Sequence, residues 1–314
     1  MHKQQPESNL HAAIDLGTNT FLLLIAEIKD GDLKPVYQQA KIIRLGRDVD
    51  KSRHLSEAAM GRAHDCLAHF SRVAQEFNAI TVTACGTSAL RDAENRDVFI
   101  KRIADETGIR IEVISGEEEA RLSYLGAISN QKGLSSQTMI IDIGGGSTEI
   151  CLGTVEKMQE RISLDIGSVR LTERYIFSDP IQASEIAQMK TEIDRHLENL
   201  PAIAAIDQEL SVIGVAGTIT TLAAIDHKID PWNSERIDTI RLHADKVEKL
   251  AGQLAGMTLA ARKELAGLAP KRADVIVAGA FILSAIMRKL NIEKLRVSDR
   301  GLRFGILLDN KHID

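Results

Sequence analysis

The stretch DIGGGSTE, residues 142–149, concentrates groups able to handle phosphate. Its glycines, Gly144, Gly145 and Gly146, let the backbone approach a ligand and turn N–H groups inward, the arrangement that cradles phosphate oxygens. Ser147 and Thr148 add hydroxyl donors. Asp142, at the end of an apolar run, is placed to hold a divalent cation directly or through water, and Mg²⁺ commonly takes one or two carboxylates while keeping its waters. No GK[ST] follows, which excludes a Walker A loop. The residues after the glycines resume a strand pattern, which excludes the dinucleotide fingerprint. The plain alternative is a hairpin turn that needs positive φ.

The chain carries a second turn of the same build. DLGTNTFLLLI, from Asp15, and DIGGGSTEICL, from Asp142, both run Asp–apolar–Gly, continue with small polar residues and resume a strand. That is a weak internal repeat, and it offers Gly17, Thr18 and Asn19 as a second set of phosphate contacts. A third glycine loop, GVAGTITTL (214–222), places Gly217 and Thr218 at a helix start. Free N–H groups there suit a phosphate, although Thr218 as a plain N-cap explains the same residues.

In SGEEEARLSYLGA (115–127) three glutamates open a helix. Ser115 is a natural N-cap and Glu118 its capping-box partner; Glu117 gains from the helix dipole. Glu119 has no such role, which leaves it either a solvated helix carboxylate or a general base. In LRDAENRD, Arg91 reads as a partner of Asp92 or Glu94, or as a phosphate contact. Lys271 and Arg272 solvate a helix start or line the path of a polyanion; Arg300 and Arg303, on the last helix, receive no role.

Strand and helix patterns alternate in both halves, so the fold class is α/β. Strands are expected on both sides of each glycine turn, over 79–85 and 109–114, and at EKLRVSD (293–299); residues 86–95 begin as a loop. Helices are expected over 56–77 with Ser56 as N-cap, over 96–107 closed by Gly108, over 183–199, and at RGLRFGILLDN (300–310). VIVAGAFILSAIM (275–287) is too short to cross a membrane and reads as a buried helix.

At 314 residues the default is two domains. With 4% aromatics, a net charge of -5 and no basic block, the chain is not a general nucleic-acid binder, although a locally positive site remains open to a polyanion. Cys66, Cys85 and Cys151 are far apart and suit a reducing compartment rather than a disulfide framework or zinc site. The polar N-terminus MHKQQPESNL lacks a signal-peptide core, so a cytoplasmic protein with no membrane partner is expected.

The paired turns resemble the phosphate motifs of the actin, Hsp70 and sugar-kinase superfamily. Within it, AAIDLGTNTFLLLI, GTSALRDAEN, VISGEEEARLSYLGA, IDIGGGSTEI, GVAGTITTLAAI, LAPKRADVIVAGAFIL and SDRGLRFGIL resemble the exopolyphosphatase and guanosine pentaphosphate phosphatase family, in order from residue 12 to residue 308. The resemblance implies two ribonuclease-H-like domains flanking a cleft, here 1–123 and 124–301, with a final helix near 302–314 packing back on the first. It implies Mg²⁺-dependent removal of a terminal phosphate. Glu119 takes the place of the general base and Arg91 that of the phosphate-contacting arginine; Asp142, Glu149 and Asp15 become the candidate metal ligands.

The substrate is expected to be inorganic polyphosphate, with pppGpp as the alternative. An inactive sensor or an ATP-dependent kinase of the same fold is the third reading. A homodimer is a family-level expectation.

Overall fold

The computed structural model describes residues 9–29, 32–198, 200 and 210–309. The segments 1–8 and 310–314, and Asn199 of the expected helix 183–199, lie outside the described residues. The chain divides into two compact units, one of residues 1–115 with 302–314, the other Gly116–Gly301. The division falls between Ser115 and Gly116, whereas the sequence reading divides the chain inside the following helix, at 123/124.

The first unit is a five-stranded sheet of β1 (Leu10–Leu16), β2 (Thr20–Lys29), β3 (Asp32–Ile42), β4 (Thr81–Gly86) and β5 (Ile111–Val113), in the order β3-β2-β1-β4-β5. β1–β2–β3 is an antiparallel meander; β4 and β5 join parallel. Helices α1 (Val49–Ser52), α2 (Glu57–Glu76), α3 (Ser88–Asp92) and α4 (Arg96–Thr107) belong to this unit. Ser56 caps α2 through the Ala59 N–H, and Gly108 closes α4 with φ 74°, as the sequence predicts. Residues 88–92, expected as loop, form the single turn α3. β3, which the sequence reading did not separate, alternates exposed and half-buried residues, as an edge strand with one solvated face does.

The second unit begins with α5 (Gly116–Ile128) and repeats the plan. Its strands are β6 (Gln137–Ile143), β7 (Thr148–Gly153), β8 (Met158–Leu164), β9 (Leu210–Val215), β10 (Arg241–His243) and β11 (Lys294–Val297), in the order β10-β11-β9-β6-β7-β8. Read from β8, the antiparallel meander β8-β7-β6 followed by parallel β9 and β11 matches β3-β2-β1-β4-β5 strand for strand. Both units therefore have the ribonuclease-H-like order, and the repeat read from the glycine turns is a repeat of architecture. Among the described residues, helices α6 (Ser168–Tyr175), α7 (Ala183–Glu198), α8 (Ala216–Asp226), α9 (Ser234–Ile237), α10 (Ala244–Gly256), α11 (Leu259–Lys263) and α12 (Ile276–Lys289) belong to the second unit; α13 (Leu302–Leu308) belongs to the first.

Each unit has its own core. Phe21, Phe70, Phe99, Leu67 and Ile14 fill the first; α12, buried along most of its length, anchors the second. Each such side chain removed from water contributes about 1.5–3 kcal/mol before entropy is counted. Ala120, Tyr124 and Ala127 pack α5 onto Ile140, Cys151, Ile213 and Val215 of the sheet, which fixes the helix that carries Glu119.

Candidate active site

The second glycine turn joins β6 to β7, and Asp142 and Glu149 stand opposite each other across that antiparallel pair. Gly144 does not adopt positive φ, so the hairpin explanation of its glycine is corrected. What it requires is room: a Cβ would lie 3.2 Å from the Ser147 carbonyl oxygen.

The turn is held from behind by α6. Ser168 N–H donates to the Gly144 carbonyl at 3.0 Å, Val169 N–H to that of Gly145 at 2.8 Å, and Arg170 Nε to that of Gly146 at 2.8 Å. In a trans peptide the C=O and the following N–H point in opposite directions. Tethering three carbonyls to α6 therefore aims the N–H groups of Gly145, Gly146 and Ser147 away from those tethers. Gly167 makes this approach possible: a Cβ there would sit 2.4 Å from the Gly145 oxygen. Sequence reading missed Gly167, Ser168 and Arg170.

Around this turn the acids are crowded. Asp142 is buried and accepts from Ser123 Oγ at 2.7 Å. Burial pushes its pKa up to about 6, against the Ser123 hydrogen bond. Glu149 is 1% exposed and accepts from Ser163 Oγ at 2.9 Å; its Oε2 has no hydrogen-bond partner among the described residues. Burial, then the charge of Glu119, then that of Asp142 raise the Glu149 carboxyl well above its usual range.

The three glutamates of α5 separate by partner. Glu117 pairs with Arg161 of β8 at 2.6 Å. Glu118 takes a two-pronged contact from Arg121, at 2.9 and 2.7 Å, a partner the sequence reading did not name. Half-buried Glu119 lies within electrostatic reach of Glu149. Ser123, one turn further on, shares its helix face, and that i, i+4 spacing was the available signal for Ser123.

At the third loop, Thr218 is not the N-cap. Val215 is, Ala216 follows at φ 65°, and Thr218 falls inside the first turn of α8 against Gly279 of α12. Gly217 is covered by Arg272, since a Cβ would meet its Nη1 at 1.9 Å.

In the first unit the equivalent turn is built alike. The Thr18 carbonyl accepts from Gly46 N–H at 2.9 Å, and that of Asn19 from Ile43 and Arg44 N–H, both at 2.9 Å. A Cβ on Gly17 would lie 2.8 Å from the Thr20 oxygen and 3.7 Å from Asp15 Oδ1. Arg91, on α3, donates Nη1 to the Ile114 carbonyl at 3.2 Å, while Asp92 pairs with Arg53 at 3.9 Å and Glu94 with His54 at 4.0 Å. Among the described residues, no three His, Cys, Asp or Glu side chains converge as a metal cage. A cation held by one or two carboxylates and substrate oxygens needs no such cage.

The Ppx/GppA phosphatase family model matches residues 24–313. The chain belongs to the Ppx/GppA phosphatase family. It is 36% identical to exopolyphosphatase 2 of Mycobacterium tuberculosis over 95% of this chain and 97% of that one. It is 32% identical to the guanosine-5'-triphosphate,3'-diphosphate pyrophosphatase of Photobacterium profundum over 98% of this chain, and spans 60% of that protein. It spans 46% of a bifunctional 3-dehydroquinate synthase/phosphatase of Fusobacterium nucleatum, at 35% identity over 96% of this chain. Among solved structures, an exopolyphosphatase from Cytophaga hutchinsonii is similar with TM-score 0.87 and 30% identity, covering 95% of this chain and 96% of that one. The Aquifex aeolicus family member gives TM-score 0.79 and 31% identity over 95% and 96%. The chain is thus a hydrolase of this family. No described helix is long and apolar enough to cross a membrane.

Proposed function

We propose that the chain is an exopolyphosphatase that hydrolyses the terminal phosphate of inorganic polyphosphate. The observation that carries the reading is the second glycine turn, with Asp142 and Glu149 opposite each other across its two strands and Glu119 within electrostatic reach of Glu149. Glu119 accepts a proton from water as the water oxygen attacks the terminal phosphorus. The P–O bond to the rest of the chain breaks, orthophosphate leaves, and the shortened chain carries off the bonding electron pair. The Gly145, Gly146 and Ser147 N–H groups take the non-bridging oxygens, where charge is spread in a loose transition state. Gly17, Thr18, Asn19 and Arg91 offer further phosphate contacts, and Gly217 with Thr218 remains a weaker candidate.

The donor set around Glu149 fits Mg²⁺: burial and the charges of Glu119 and Asp142 raise the Glu149 carboxyl, and a divalent cation would relieve that cost. Asp142 and Glu149 are the proposed ligands, with Asp15 a further candidate, and the ion would supply neutralising charge to the phosphate chain. The relatives that dephosphorylate guanosine pentaphosphate support pppGpp as the alternative substrate.

The test is phosphate release with Mg²⁺ from long-chain polyphosphate and from pppGpp, side by side, in wild type and Glu119→Gln. Faster release from polyphosphate, falling about 10²–10⁴-fold in the variant, is expected. Preference for pppGpp transfers the assignment to the nucleotide, and an unaffected variant removes Glu119 from the chemistry.

A further inference from the structure

The carboxyl ends of β6, β9 and β11 lie along one edge of the second sheet, where parallel sheets place their ligands. Asp142 pairs with Val215 across β6 and β9, and Gly214 with Val297 across β9 and β11. With about 4.8 Å between strands, Asp299, just past β11, stands roughly 10 Å along that edge from Asp142. That is comparable with the reach of a triphosphate and its ribose.

At the far end of this span is Trp232, the single tryptophan of the chain, 49% exposed. Its Nε1–H donates to Ser234 Oγ at 3.3 Å, and Ser234 Oγ donates to Asp299 Oδ2 at 2.8 Å. The Asp299 N–H donates to Asp238 Oδ1 at 2.6 Å. Asp299 is in electrostatic reach of Arg272, whose guanidinium covers Gly217 at the start of α8. The indole is therefore tethered by its polar edge, through one chain of contacts, to the third glycine loop, and it stays half exposed to solvent. An inorganic phosphate chain has no surface that uses such a ring; a nucleobase does.

We infer that Trp232 is a stacking platform for the base of a guanine nucleotide whose 5'-polyphosphate lies towards Asp142 and the second glycine turn. Guanine is favoured because its Watson–Crick edge offers N1–H and N2–H donors, and Asp299, the carboxylate behind Ser234, is an acceptor. The inference rests on the proposed phosphate site and adds a specificity residue to it.

Since the chain has one tryptophan, its intrinsic fluorescence reports this position directly. The full chain with Mg²⁺ is titrated with the β,γ-imido analogue of GTP, the corresponding ATP analogue, and tripolyphosphate. Quenching by the guanine analogue, weaker quenching by the adenine one and none by tripolyphosphate are expected. Equal quenching by tripolyphosphate, or none by the guanine analogue, overturns the inference. The readout needs no turnover, so it is repeated in Glu119→Gln, where persistent quenching separates this inference from the assignment of the base. In steady-state assays, Trp232→Ala lowers the ratio of kcat/KM for pppGpp to that for polyphosphate roughly 10- to 100-fold, and Trp232→Phe restores most of it. An unchanged ratio in Trp232→Ala would make the indole structural.

Discussion

The two glycine turns share a scaffold and differ in charge. In each, the first glycine sits under the carbonyl of the residue three positions on, Thr20 for Gly17 and Ser147 for Gly144. In each, a later segment ties back the turn's carbonyls: residues 43–46 in the first unit, 168–170 in the second. Both turns open on an aspartate, Asp15 and Asp142, yet at the position paired with it the second sets the buried Glu149, where the first sets Leu22. A duplicated fold has kept the glycine turn and its carbonyl tethers, while the second copy alone of the two turns sets a glutamate opposite its aspartate.

The strongest way to break this comparison is to change one polar side chain in each turn. Glu149→Gln is expected to lower phosphate release by about 100-fold, and Asn19→Ser by about tenfold or less. Equal losses in a phosphate-release assay would mean that both turns carry the chemistry. Next come the glycines that let the tethers close. Gly167→Ala drives a methyl into the Gly145 backbone and is expected to cost about 1–3 kcal/mol in urea denaturation, with loss of activity. Gly46→Ala meets the Thr18 methyl at 2.3 Å, a side-chain atom, and should cost less. The reverse order would show the first turn to be the more rigid.

The smallest effect sharpens the electrostatics. Asp142 titrates near 3.8 when unfolded and about 6 when folded. Its protonated form therefore contributes stability that is complete below pH 3.8 and is lost as pH rises through about 6. In thermal melts with EDTA, Asp142→Asn should remove a fall of a few degrees across that window, and saturating Mg²⁺ should do the same in wild type. Unchanged melting profiles would mean that Asp142 carries no unrelieved charge.

Both turns were legible in the sequence because their chemistry is local: Asp, Gly and small polar residues within eight positions. Glu119 was set apart by elimination, once Ser115 and Glu118 had local explanations and the family resemblance named it. Ser163 and the 167–170 tether were not legible, because their partners lie about 14 to 25 residues away and only sheet pairing brings them together. Thr218 was misplaced for a related reason. The cap falls three residues earlier, at Val215, and is followed by a left-handed Ala216 that propensity does not favour.

The order in which the chain is made bears on α13. That helix contacts β1 and β2, it carries the buried Phe304, Ile306 and Leu307, and Arg303 donates to Gln38 Oε1 at 2.9 Å. All of it belongs to the first unit, yet residues 116–301 are synthesised before it. At ribosomal rates of about 5–20 residues per second, the first sheet waits roughly 10–40 s for its last helix. During that interval the flank of β1 that α13 will cover is exposed on the nascent chain, a surface for a chaperone to shield while the second unit, whose segments are contiguous, folds ahead of it.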